Sequence, residues 1–324
     1  KCDVQIADDN YPRFFLNNQP YFQSGVLDQG YWPDGLYTAP SDEALIYDIR
    51  AMKDLGFNML RKHGKIETDR WYFHCDRMGM LVWQDMPNGG SDYQHWFVTY
   101  LATLMNWNHI SFSDDEKHAG LLSRLDPEGK DEFRREITET IAFLYNHPSI
   151  VVWFPFNEGW GQFDALAACE QIRTLDSSRL IDHASGWFDQ KGGDILSLHY
   201  YFLKLKFKPE SKRAAALTEF GGYSLSIPGH SCCKKVYGYK KFNSTGALTY
   251  GYIDLIRQTI LPAVKKGIGA TVYTQLSDIE EETNGIYTYD REICKIDPDT
   301  LRKWNRALKE AGECKTYADH PTDH

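Results

Sequence analysis

The 324-residue sequence holds no window of eighteen apolar residues, so no segment reads as a membrane-spanning helix. Its first ten residues, KCDVQIADDN, contain no apolar run of the signal-peptide type. Basic residues are in deficit. A formal net charge of −9 argues against nucleic acid or an anionic membrane as partner, because both select for basic surface. A neutral, soluble ligand fits better. No His-x-His, His-Glu-x-x-His or Cys-x-x-Cys pattern occurs, so the common zinc signatures are missing and neither metal nor cofactor is expected. The seven cysteines, odd in number and including the adjacent Cys232-Cys233, read as reduced thiols and set a cytoplasmic expectation. Internal repeats and low-complexity tracts are absent.

What the chain has in excess is aromatic residues, 14% of the total, with nine Trp and twenty Tyr. Many of these rings belong to an ordinary core; the surplus is compatible with stacking on sugar faces. Strand-like and helical runs alternate along the chain. The strands are read as Tyr21–Asp28, Phe57–His63, Met80–Gln84, Ile150–Asn157, Leu180–His183, Ile195–Tyr200, Ala214–Phe220 and Gly269–Gln275. Between them lie amphipathic helices such as residues 41–56, with Ser41 as N-cap and Gly56 as stop, and a second that ends at Gly79. Eight strand–helix repeats predict a parallel sheet closed into a (β/α)8 TIM barrel. One domain is expected: residues 1–20 as a lead-in, 21–314 as the barrel and a frayed tail over 315–324. The long connections 86–130 and 221–249 follow the third and seventh strands. They are read as walls or lids at the C-terminal face.

Two strands end in glutamate. The run IVVWFPFNE, residues 150–158, is β-branched and aromatic up to Asn157-Glu158, and AAALTEF, residues 214–220, delivers Glu219 before Gly221-Gly222. Barrel chemistry sits at C-terminal strand ends, and two carboxyl groups about 5 Å apart suit retaining glycoside hydrolysis. One must then be protonated and the other ionised. Apolar Trp153, Phe154 and Trp160 around Glu158 favour the protonated role; Glu219, beside two glycines, suits the nucleophile.

With both glutamates placed, the chain resembles the catalytic barrel of glycoside hydrolase family 2, the family of bacterial β-galactosidases, β-glucuronidases and β-mannosidases. The carriers are residues 14–37, DIRAMKDLGFNMLRKH (48–63), WYFHCDRMGMLVWQDMP (71–87), HPSIVVWFPFNEGW (147–160), LTEFGG (217–222) and the DIEEETNGIYTYDRE run (278–292). The resemblance implies Glu158 as general acid/base and Glu219 as nucleophile. It implies Asn157 as the partner of the sugar 2-hydroxyl and Arg61 as the cation that orients the nucleophile. Tyr200 matches the tyrosine that bonds the nucleophile, although alternation lets only one of Tyr200 and Tyr201 face inward. His63 and His199 are read as sugar-hydroxyl ligands or satisfied core histidines. Asp28 is read as a sugar ligand or a loop cap, and Trp160 as a substrate-binding ring.

Departures from the family pattern narrow the expectation. Residues 84–90, QDMPNGG, lack the acid-and-histidine pattern that holds magnesium in some family β-galactosidases, and no Asn-x-Lys pair for a uronic acid carboxylate occurs anywhere. The expected activity is a retaining exo-β-glycosidase acting on terminal β-D-galactosides. Alternatives are the same chemistry on a β-glucoside, α-L-arabinopyranoside, β-mannoside or, less favoured, β-glucuronide, or an excised carbohydrate-binding barrel. The resemblance also implies accessory β-sandwich domains in a full-length protein, and a homo-oligomer is compatible with it.

Overall fold

The structure, a computed structural model, describes residues 1–108, 110, 112–201 and 204–313. Strands β1 (Cys2–Ile6), β2 (Pro12–Leu16) and β3 (Gln19–Pro20) form a small antiparallel sheet. Eight parallel strands follow: β4 (Gln23–Asp28), β5 (Met59–Lys62), β6 (Leu81–Asp85), β7 (Ile150–Phe154), β8 (Leu180–Ile181), β9 (Ile195–Tyr200), β10 (Ala214–Gly221) and, after the short pair β11 (Tyr223–Ser224) and β12 (Lys240–Lys241), β13 (Ile268–Thr274). Their hydrogen-bonded order is β8-β7-β6-β5-β4-β13-β10-β9, a TIM barrel with one seam. There β8 has only two residues, and Asp194 bridges the gap: its N–H donates to Ile181 O at 2.8 Å and its Oδ2 accepts from Ile181 N at 2.9 Å.

The helices are α1 (Asp42–Asp54), α2 (Asp69–Met78), α3 (Ala102–Trp107), α4 (Pro127–Leu144), α5 (Ala165–Leu175), α6 (Thr245–Leu255), α7 (Leu261–Val264) and α8 (Pro298–Gly312). Ser41 caps α1 by accepting from Ala44 N at 3.3 Å, and Gly79 closes α2 at φ 65°. Among the described residues no helix is long and apolar enough to cross a membrane.

Strand alternation sorts the core into two layers. Leu27, Met59, Trp83, Phe154, Ala216 and Val272 fill the barrel interior, whereas Val26, Leu60, Val82, Trp153, Leu217 and Phe220 pack outward among helix residues such as Ile49, Trp71 and Ile137. Each large side chain fully buried in this way contributes about 1.5–3 kcal/mol.

Residues 1–20, expected as a lead-in, are an ordered part of this core. The Phe14 ring sits 5.9 Å from that of Trp83 inside the barrel, and buried Arg13 donates to Ile268 O at 2.7 Å and Val264 O at 3.0 Å. The β1–β3 sheet therefore plugs the N-terminal end. The expected tail over 315–324 lies outside the described residues.

Candidate active site

Parity along each strand decides which side chains enter the C-terminal mouth. On β5, Met59 and Arg61 point inward, with His63 next in the series, while Leu60 and Lys62 point outward. On β9 the inward series starts at Ile195 and runs through Ser197 and His199 to Tyr201, whereas Leu196, Leu198 and Tyr200 pack against the outer core. Strand β10 breaks parity. Its register slips between Leu217 and Glu219 against β9, and between Leu217 and Phe220 against β13. This bulge turns two successive residues inward, so Thr218 bonds Ser197 Oγ at 2.6 Å while Glu219 reaches Arg61.

Glu219 is held from three sides. Arg61 Nη1 donates to its Oε1 at 3.2 Å, Tyr201 donates its phenolic proton to Oε2, and His199 Nε2 stands 3.8 Å from Oε1. Burial alone pushes this carboxyl up; the charges of His199, Arg61 and His63 and the Tyr201 hydrogen bond outweigh it and hold Glu219 below its ordinary range. Arg61 is fully buried, and its other donors go to Asp85 (3.0 and 2.9 Å), Thr218 O (3.0 Å) and Asn157 Oδ1 (2.9 Å).

Glu158 arrives differently. Strand β7 ends at Phe154, short of the expected Asn157, because Pro155 has no N–H for the ladder. The chain then bridges from Asn157 to Ser185 and turns at Glu158 with φ 50°. Gly159 must be glycine here, since a Cβ would lie 2.3 Å from the Phe188 ring and its φ is 74°. The Glu158 side chain keeps 27% of its surface exposed against 6% for Glu219, and its Oε1 contacts His199 Nδ1 at 2.9 Å. One carboxylate oxygen from each glutamate and a nitrogen of His199 all lie within 4.8 Å of one another.

Several expected residues take other places. Tyr200 lies outside the barrel, and Tyr201 makes the contact with Glu219; counting in twos from His199 would have chosen it. Asp28 follows the outward parity of Val26, accepting from Lys62 Nζ at 2.7 Å and Gly30 N at 2.9 Å, so it is a buried cap and ion-pair partner away from the mouth. Trp153, expected beside Glu158, donates to Asp176 in the helix layer at 3.0 Å. His199 bridges the two glutamates and accepts or donates to Ser185 Oγ at 3.0 Å, which uses both its nitrogens. His63, Asn157 and Trp160 do line a cleft of about 340 Å³ together with Asp85, Gln29 and Asn88.

Asp85, one residue past the expected third strand, was missed as a site residue. It accepts from Arg61 and meets His63 Nδ1 at 2.5 Å. Burial raises its carboxyl, yet Arg61 and His63 bring it below the ordinary range; burial lowers His63, yet Asp85 lifts it above its own. Both Asp85 oxygens face these partners, so the donor set after β6 does not suit a magnesium ion. Glu282 is the second residue missed. It accepts from Gln275 Nε2 at 2.9 Å; burial first, then the charges of Glu219 and Glu158, push its carboxyl up. The acid-rich 278–292 run was its signal.

The model of glycosyl hydrolases family 2, TIM barrel domain, matches residues 9–260. A β-galactosidase from Leuconostoc mesenteroides subsp. mesenteroides is 27% identical over 335 aligned residues, covering 97% of this chain and 28% of the relative. A Lactococcus lactis β-galactosidase is 27% identical over 53% of this chain and 15% of its own length. The chain thus spans less than a third of these relatives. A β-D-glucuronidase structure from Dictyoglomus thermophilum superposes with a TM-score of 0.67 at 15% identity, over 94% of this chain and 54% of that one. A β-galacturonidase structure from Eisenbergiella tayi gives 0.63 at 16% identity, over 96% and 54%. At these identities the structural likeness speaks for the fold. With the family model spanning most of the barrel strands and both glutamates, the chain belongs to glycosyl hydrolase family 2 and carries its TIM barrel domain.

Proposed function

We propose that this barrel is the catalytic domain of a retaining exo-β-glycosidase acting on neutral terminal sugars, with β-D-galactosides first. The observation that carries the reading is the approach of Glu158 and Glu219 to within 4.8 Å, the spacing of direct displacement rather than of an interposed water. Glu219 attacks the anomeric carbon as the bond to the leaving oxygen breaks, and Glu158 gives that oxygen its proton. Water, deprotonated by Glu158, then displaces Glu219 and releases the sugar with retained configuration. Asn157, oriented through its Oδ1 by Arg61, offers its amide to a sugar hydroxyl.

Galactosides come first in this reading, and the 27% identity to a β-galactosidase supports that order. A neutral glycone is supported by the sequence, which holds no Asn-x-Lys pair for a uronic acid carboxylate. The test is nitrophenol release from β-galactoside, β-glucoside, β-glucuronide, β-mannoside and α-L-arabinopyranoside, beside Glu219→Gln. Release from a neutral sugar, lost in the variant, is expected. The second reading, a barrel inactive without accessory domains, draws on the 28% share of the relative's length that the chain spans, and silence across the panel from folded protein supports it.

A further inference from the structure

We infer that Asp182, which no step of the double displacement uses, is a buried proton reserve for the two glutamates, joined to His199 through the hydroxyls of Ser197 and Ser185. The inference rests on the glycosidase reading above and deepens it. Asp182 follows the last residue of β8. Leu180 packs inside the barrel and Ile181 outside it, so alternation sends Asp182 inward, where it is fully buried. Among the described residues neither of its carboxyl oxygens closes a hydrogen bond, although the Ser197 hydroxyl and the Ala184 N–H face them. An anion buried in that state is costly, whereas a protonated carboxyl is neutral and has a proton to give. Burial pushes the Asp182 carboxyl above its ordinary range, against the pull of His183, Ser197 and Arg61.

The route from Asp182 to the mouth is short. Ser197 Oγ lies 2.6 Å from Thr218 Oγ1 and donates to Ser185 Oγ at 3.4 Å, and Ser185 Oγ stands 3.0 Å from both Thr218 Oγ1 and His199 Nε2. A hydroxyl has one proton and turns to suit its neighbours. With that proton on Thr218, Ser185 accepts from the imidazole; turned to His199, it donates. The other ring nitrogen, Nδ1, meets Glu158 Oε1 at 2.9 Å. As Glu158 protonates the departing oxygen, one proton leaves Asp182 for Ser197 Oγ, Ser197 passes its own to Ser185 Oγ, and Ser185 passes its own to His199 Nε2. Asp182 ends as a carboxylate near Arg61, and His199 as an imidazolium against the newly ionised Glu158. Only O–H and N–H bonds change, and the reverse transfer restores the start when Glu158 takes a proton back from water. Asp182 thus acts through His199 and is a positioning residue. The other ionisable groups near the two ends are Arg61, His183 and Cys169 at Asp182, and Glu219 and Tyr201 at His199.

The first readout needs no substrate. Infrared difference spectra of the full chain near neutral pH, parent minus Asp182→Asn, should show the carbonyl stretch of a protonated carboxyl. The band should move in Ser197→Ala, which removes the hydroxyl placed to take its proton; if Asp182→Asn does not fold, parent minus Ser197→Ala reads the same band as a shift. Absence of the band overturns the inference whether or not the chain cleaves glycosides. If the band and its shift are present while the aryl glycoside panel is silent, the glycosidase reading fails alone and the buried acid stands. In the active enzyme, each variant should lower kcat/KM about tenfold on a substrate with a poor leaving group, part of the roughly 10²–10⁴-fold that a general acid supplies, and the double variant should lose no more than either. The basic limb of kcat/KM should move to higher pH in both, because ionised Glu158 no longer gains an imidazolium beside it. A limb that stays in place, as a purely structural role would leave it, or one that moves to lower pH, as loss of a resting anion would move it, overturns the inference.

Discussion

Tyr201 donates its phenolic proton to Glu219, while Tyr200, one residue earlier, packs its ring among the outer-layer residues. The same two-residue repeat that puts Ser197 and His199 inside the barrel makes these adjacent tyrosines unequal. Removing the donor takes away a bond made to the ionised carboxyl, so the Glu219 pKa should rise. The acid limb of kcat/KM in Tyr201→Phe should therefore move to higher pH, and kcat should fall on the order of 10²-fold. Tyr200→Phe should keep the parent pH profile.

The acid role of Glu158 is read from leaving-group dependence. Glu158→Ala should slow substrates with poor leaving groups far more than a dinitrophenyl glycoside, because only the former need a proton in the transition state. Equal losses on both would remove Glu158 from that role. Glu219→Ala should abolish turnover of either.

Asp85 positions two groups at once, the Arg61 guanidinium and the His63 imidazole. Asp85→Asn leaves the buried guanidinium short of charge compensation and should destabilise the barrel by about 3 kcal/mol in chemical denaturation. The pH dependence has a definite sign. His63 has a raised folded pKa, so its contribution is complete below about 6.5 and fades as pH rises through the folded value; Asp85, depressed, contributes above about 3.9 and loses it as pH falls. In the variant, the His63 titration followed by NMR should shift to lower pH.

Glu282 should matter for the glycone. With the carboxyl replaced in Glu282→Gln, the ratio of neutral glycoside to glucuronide kcat/KM should drop, since an acidic group near Glu219 and Glu158 is gone. An unchanged ratio would take Glu282 out of sugar selection.

The N-terminal plug is open to a stability test that leaves the mouth untouched. Phe14→Ala empties a ring-sized space against Trp83 and should cost about 3–5 kcal/mol of unfolding free energy. If residues 1–20 were a loose lead-in, the melting curve would not move.

The eight barrel strands, the caps at Ser41 and Gly79, and both glutamates were legible in the sequence because each leaves a local mark: β-branched runs, a capping hydroxyl, a left-handed glycine, an acid after an apolar strand. The β1–β3 sheet left little, since its strands are only two to five residues long and their burial comes from packing on the barrel end. Asp28 ends its strand as convincingly as Asp85, yet parity sends one to Lys62 and the other to Arg61. Alternation alone can be counted along a strand. A bulge cannot: the slip in β10 that brings Glu219 inward exists only against its neighbours β9 and β13. Local residue pattern therefore suffices for the residue types of the chemistry and for the strands that carry them. Which of those side chains meet is a tertiary matter, because it depends on register between strands distant in the chain and on the Pro155 and Glu158 turn that carries Glu158 to within 4.8 Å of Glu219.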